Sequence, residues 1–155
     1  MRGTMICAVT DTAEGHRALE LSAQLSKRLG MRLVLVHAAE EVPPLRNRAG
    51  CESVTMKGNR DDGVDLLARL AAQYGLADVA EQRSAIGDPA ALIGQIAAEE
   101  AADVIVIGAR ACGPLRRRLQ CTLASQLESE TSVPVLIAPL GDRTQKLVAK
   151  NGSRR

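Results

Sequence analysis

Residues 103–108 read Asp103-Val104-Ile105-Val106-Ile107-Gly108, an unbroken β-branched run closed by glycine. A half-buried strand alternates apolar with polar residues. A run apolar at every position therefore predicts a strand covered on both faces, as in a parallel sheet flanked by helices. The segments on either side agree. Upstream, Gly87-Asp88-Pro89 reads as a turn in which Asp88 caps a helix and Pro89 takes its first position, with Leu92, Ile93, Ile96 and Ala97 as the buried face. Downstream, residues 119–129 read as a further helix and Val133-Pro134-Val135-Leu136-Ile137-Ala138 as a last strand. Pro134 lacks a ladder donor, so this strand begins there or lies at a sheet edge.

The amino-terminal half repeats the alternation. Met5-Ile6-Cys7-Ala8-Val9 is a short apolar run ended by Thr10-Asp11-Thr12, after which Ala18, Leu21, Leu25 and Leu29 recur at helical spacing up to Gly30. Met31-Arg32-Leu33-Val34-Leu35-Val36-His37 is a second strand. From Glu40 to about Asp61 the chain carries Pro43-Pro44, Gly50 and Gly58 and reads as a long loop. Helix resumes from about Asp62 to Tyr74, with Val64, Leu67, Leu70 and Ala71 on one face and Gly75 at its end. Residues 79–86 form a polar, weak strand suited to a sheet edge.

The order β-α-β-α-β-α-β-α-β predicts an α/β fold: a single doubly wound, mainly parallel five-stranded sheet with helices on both faces, one domain over residues 1–140. Residues 141–155 lack an apolar period and carry Arg143, Lys146, Lys150, Arg154 and Arg155, which reads as a flexible basic tail. In doubly wound sheets ligands sit outside the carboxyl ends of the strands, where strand order reverses. The loops after Val9, Val36 and Ile107 are therefore the candidate site.

Composition narrows the function. A net charge of +2 with 25% charged residues leaves no strongly basic body, so nucleic acid is not an expected partner. One Tyr with neither Phe nor Trp removes the aromatic platforms on which bases or sugars stack. The four cysteines form no CxxC and only two histidines could join them, which fits reduced thiols in a cytoplasmic protein better than a metal site. No stretch approaches the ~20 apolar residues of a membrane span, and no signal peptide is recognisable. A Ser/His/Asp hydrolase is opposed by the absence of G-x-S-x-G, and a Walker-type triphosphatase by the absence of G-x-x-x-x-G-K-[ST].

The stretch from Gly108 to Thr122 follows a buried strand and opens a helix, the arrangement in which backbone N–H groups and the helix dipole favour an anion. Here the chain resembles the universal stress protein family, whose loop reads glycine, two residues, glycine, nine residues, glycine, then serine or threonine. The register falls on Gly108, Ala111, Cys121 and Thr122. Val9-Thr10-Asp11, Leu35-Val36-His37-Ala38, Gly87-Asp88-Pro89-Ala90 and Val133-Pro134-Val135-Leu136-Ile137 follow the family's order over about Thr4 to Leu140.

The resemblance implies an adenine nucleotide alpha hydrolase-like fold and a ligand, ATP or another adenine nucleotide, with or without Mg²⁺. It places the nucleotide among Val9, Thr10, Asp11, Ala38, Gly108, Arg110, Ala111, Cys121, Thr122 and Leu123. Asp11 would contact ribose or base, Ala38 would line the adenine slot, and Thr122 would donate to phosphate. Ala111 and Cys121 replace two loop glycines, and a Cβ at the second stands where a phosphate oxygen should pass. Gly113 offers slack and Arg116, Arg117 and Arg118 offer charge. The family also implies a homodimer paired through residues 133–138 and a regulatory protein partner.

Simpler roles stand beside these. Asp11 serves equally as the cap of the first helix, Asp103 as the structural start of its strand, and His37 as a histidine hydrogen-bonded to backbone. Arg116 to Arg118 read as a solvated loop if no nucleotide binds, and Cys112 and Cys121 as reduced thiols rather than a redox pair. Three functions follow: a stress-response module with nucleotide as a conformational ligand, a nucleotide-free dimeric interaction protein that has lost the phosphate loop, and a weak ATPase. Ordinary hydrolytic catalysis is not expected.

Overall fold

A computed structural model describes residues 3–39, 55–109 and 123–139. In chain order the elements are β1 (Thr4–Ala8), α1 (Ala13–Leu29), β2 (Arg32–Ala39), α2 (Thr55–Gln73), β3 (Ala80–Ile86), α3 (Pro89–Glu99), β4 (Val104–Gly108), α4 (Leu123–Glu130) and β5 (Val135–Ala138). The five strands form one sheet in the order β3-β2-β1-β4-β5, and every pairing is parallel.

That order explains where the helices go. The chain steps outward from β1 through β2 to β3, then crosses to the far side of β1 for β4 and β5. Right-handed crossovers put the helices of the two directions on opposite faces. Accordingly α1 and α2 cover Met5, Cys7, Leu33, Leu35 and Val106, while α3 and α4 cover Ile6, Val34, Val36, Ile105 and Ile107. Alternate residues of each inner strand enter alternate cores, so both must be apolar. This is the physical meaning of the run at 104–107.

Local signals act as their chemistry requires. Asp88 accepts the Ala91 N–H at 2.9 Å and Pro89 opens α3. Gly30 ends α1 in the left-handed conformation, φ 65°, and donates to the Ser26 carbonyl. Asp103 accepts the Thr4 N–H at 2.8 Å through Oδ2 and donates its own N–H to the Thr4 carbonyl at 2.8 Å, tying the starts of β1 and β4 together. β5 begins one residue after Pro134, whose carbonyl accepts from Ile105 N–H at 2.9 Å. Both polar β3 and short β5 are edge strands.

Three expectations need correction. The segment read as loop to Asp61 is helical from Thr55, because a lone Gly58 costs about 1 kcal/mol in a helix, too little to end one that packing supports. Residues 40–54 lie outside the described residues, as do 119–122 ahead of α4 and 141–155. Val64 and Leu29 are not core residues, being 52% and 63% exposed. The buried stripe of α1 is instead Gly15, Ala18, Leu19, Ser22 and Ser26. Its serines donate back to the Ala18 and Ala23 carbonyls at 2.7 and 3.1 Å, so their burial leaves no hydroxyl unmet.

An ionic lattice finishes the face of β2 and β3 that α3 leaves uncovered. Arg32 binds Glu81 at 2.8 Å and also Glu100; Arg83 binds Glu99 and Glu100, each at 2.8 Å. Among the described residues no helix is long and apolar enough to cross a membrane.

Candidate functional site

Strand order reverses between β1 and β4, so the crevice outside their carboxyl ends is where a doubly wound sheet places a ligand. Val9 is buried at the end of β1. Its N–H donates to the Val36 carbonyl at 2.8 Å and its carbonyl accepts from His37 Nδ1 at 2.9 Å, which pins the β1 loop to β2. A carbonyl can only accept, so His37 carries its proton on Nδ1. The reading of His37 as a backbone-bonded histidine holds.

Beyond Val9 the loop turns into α1. Thr12, not Asp11, caps that helix: its Oγ1 accepts the Gly15 N–H at 3.1 Å and shares a hydrogen bond with Thr10 Oγ1 at 2.9 Å. Gly15 has to be glycine, since a Cβ there would overlap the Thr10 carbonyl. Gly108 approaches the same turn from β4, and a Cβ on it would lie 2.5 Å from the Glu14 carbonyl oxygen. Its φ is not positive, so close approach, not backbone freedom, demands glycine here. The two glycines let β1, α1 and β4 converge at the crevice.

With capping assigned to Thr12, the Asp11 carboxylate is free for other partners and finds them across the fold. Oδ1 meets His16 Nε2 at 3.1 Å and Oδ2 accepts from Arg69 Nη2 at 2.8 Å. His16 in turn meets the Tyr74 hydroxyl through Nδ1 at 2.9 Å. Because a carboxylate only accepts, His16 donates from Nε2 to Asp11. Arg69 first, then His16, hold the Asp11 carboxyl below its ordinary value. The carboxylate remains 49% exposed and retains accepting capacity.

Of the expected site residues, Val9, Thr10, Asp11, Ala38 and Gly108 all reach the carboxyl pole of the sheet. Ala38 is half-buried near the end of β2, where alternation turns it away from the α2 side faced by His37. Leu123 opens α4 and packs against the α3–α4 core. Arg110, Ala111, Cys121 and Thr122 lie outside the described residues. The crevice also contains residues that the sequence reading missed: Glu14, His16, Arg69 and Tyr74. Arg69 and Tyr74 stand 58 positions from the residues they bind, and no local pattern announces such pairs.

An exposed carboxylate can accept from an amino or hydroxyl group. Among the described residues no group of three His, Cys, Asp or Glu could hold a metal ion. A groove of about 770 Å³ opens at the opposite pole, around the amino end of β2, and shares Tyr74 with this network.

A sequence profile of the universal stress protein family matches residues 1–139. No curated protein sequence matches the chain. Among solved structures, a universal stress protein in complex with cAMP has a TM-score of 0.66 at 17% identity, covering 91% of this chain and 100% of its own. A universal stress protein family member from Burkholderia pseudomallei has 0.66 at 21%, covering 88% and 96%. The universal stress protein from Archaeoglobus fulgidus in complex with dAMP has 0.59 at 19%, covering 88% and 98%. At these identities the likeness is one of fold.

Proposed function

We infer the function from one premise: the chain belongs to the universal stress protein family. It is a cytoplasmic regulatory module that takes ATP or another adenine nucleotide as a conformational ligand in the crevice between β1 and β4. The observation that carries this reading is the convergence of Asp11, Ala38 and Gly108 at the point where strand order reverses. Two structures of the same fold, in complex with cAMP and dAMP, add support. Asp11 would hold a ribose hydroxyl or the adenine amino group. Phosphate would fall to the chain from Gly108 to Thr122, where the helix dipole and backbone N–H groups supply attraction. Mg²⁺ would enter with the triphosphate rather than in a protein-built site.

A specific observation favours the second reading, a nucleotide-free interaction protein. Both oxygens of Asp11 already have partners, and Ala111 and Cys121 occupy glycine positions of the loop. Dimerisation belongs to either reading. β5 is an edge strand whose Leu136 and Ile137 are 38% and 49% exposed, and an apolar open edge pairs readily with its own copy about a two-fold axis.

Thermal melting with ATP, ADP, AMP and cAMP, with and without Mg²⁺, separates the two. A ligand at 100 times its dissociation constant adds about 2.7 kcal/mol, on the order of 5–10 °C for a chain of this size. Asp11→Ala should shrink that shift. Failure of every nucleotide to raise the melting temperature overturns the first reading and leaves the second.

A further inference from the structure

The groove at the amino pole lies where the start of β2 meets the carboxyl ends of α1 and α2. Its volume of about 770 Å³ falls within the ~300–1,000 Å³ of small-molecule sites, which are apolar with a few polar groups to orient the ligand. Buried Leu33 and Leu76 line it together with Val79, which is 69% exposed. Lys27 and Arg32 line it and no carboxylate does. Arg32 is already held by Glu81 and Glu100, whereas Lys27 has no carboxylate partner among the described residues.

We propose that this groove binds a small amphiphilic carboxylate, its apolar body on Leu33, Leu76 and Val79 and its acid group at Lys27. The apolar lining supplies the attraction by burial, and the unmatched cation selects an anionic head over a neutral one. Tyr74 joins the groove to the crevice. It lines the groove while its hydroxyl is committed to His16, and His16 is committed to Asp11. A ligand that shifts the Tyr74 ring therefore disturbs the partner of the crevice carboxylate. This link, though not the binding itself, rests on the reading of the crevice as a nucleotide site.

The chain contains one Tyr and no Trp, so its ultraviolet emission comes from Tyr74 alone. Decanoate, kept below the concentration at which it forms micelles, is titrated into the full chain while Tyr74 emission and melting temperature are followed. The expected result is a saturable change that decanol reproduces about tenfold more weakly, and that Lys27→Glu and Val79→Asp each weaken by about tenfold. Both substitutions fall on exposed residues, so the ligand-free melting temperature should hold. No saturable change, or equal affinity in wild type and both variants, overturns the site. Saturating ATP should move the decanoate midpoint in wild type and leave it unmoved, by melting, in Tyr74→Phe. A midpoint that ATP leaves in place in wild type, despite ATP binding, overturns the link alone. Decanoate binding in a protein that binds no nucleotide overturns the crevice reading and upholds the groove.

Discussion

Replacing Gly108 by alanine adds a single methyl group at the crevice, and two effects of opposite sign then compete. Alanine ordinarily stabilises a strand or helix position relative to glycine by about 0.5–1 kcal/mol, because the unfolded chain loses freedom. Here the new Cβ would lie 2.5 Å from the Glu14 carbonyl oxygen and 2.6 Å from its carbon, whereas ordinary contact begins at 3.4 Å. The neighbour is backbone, so no rotamer relieves it. Nor can α1 retreat freely, since Gly15 packs on Thr10 and the β1 loop is tied to β2 through Val9. The end of β4 must move by about an ångström, and overpacking of that kind costs ~1–3 kcal/mol. We expect a net loss of about 2 kcal/mol, or ~4–8 °C in melting temperature for a chain of this length, read by circular dichroism. Gly94→Ala is the control. Its Cβ would meet the Glu130 Cβ at 3.1 Å on an exposed residue able to yield, so the change should stay within about 0.5 kcal/mol. A Gly108→Ala protein as stable as wild type, or a loss equal to that of Gly94→Ala, would refute the claim that β4 and α1 meet at this glycine.

Acid should loosen the ionic lattice on β3. Arg32, then Arg83, hold Glu100 below its ordinary value of 4.5, so its contribution to stability is present above that pH and is lost as pH falls through the depressed value. Glu100→Gln should accordingly melt below wild type at about pH 7 and converge with it near about pH 3; a constant gap across that range contradicts the assignment. Burial pushes the Cys7 thiol up to about 12, so iodoacetamide should leave Cys7 unlabelled in native protein and modify it in denaturant, as peptide mass spectrometry would tell. Ile137→Lys should yield monomer or insoluble protein, given the exposed edge at β5. Wild-type protein that sediments as a monomer at micromolar concentration would rule out that edge as the dimer contact.

The sheet was legible because its inner strands are apolar at every position over 5–8, 33–36 and 104–107, and the last of these runs alone implies cover on both faces. Alternation of strands with helices then gives the parallel order and the place of the crevice. Edge positions were legible from the polar residues of β3 and from Pro134. Failures arose where tertiary contacts override a local signal. Gly58 looks like a breaker but sits inside α2, and Leu29 keeps helical spacing yet points to solvent past the end of the buried stripe. Half of the crevice chemistry was illegible for a deeper reason. Asp11 carries no mark that its carboxylate will be shared with a histidine one turn on and an arginine on another helix; that geometry exists only after α2 docks on the sheet.

The claim at the centre of this account is that an adenine nucleotide enters the crevice between β1 and β4. Amide-resolved nuclear magnetic resonance of the labelled full chain, titrated with ATP and Mg²⁺, tests it most directly. The account predicts saturable shifts concentrated at Val9, Thr10, Asp11, Ala38, Gly108 and Ala109, with smaller movement at Arg69 and Tyr74 through the Asp11 network. Saturable shifts confined to other parts of the fold, or none at millimolar ATP, would contradict it.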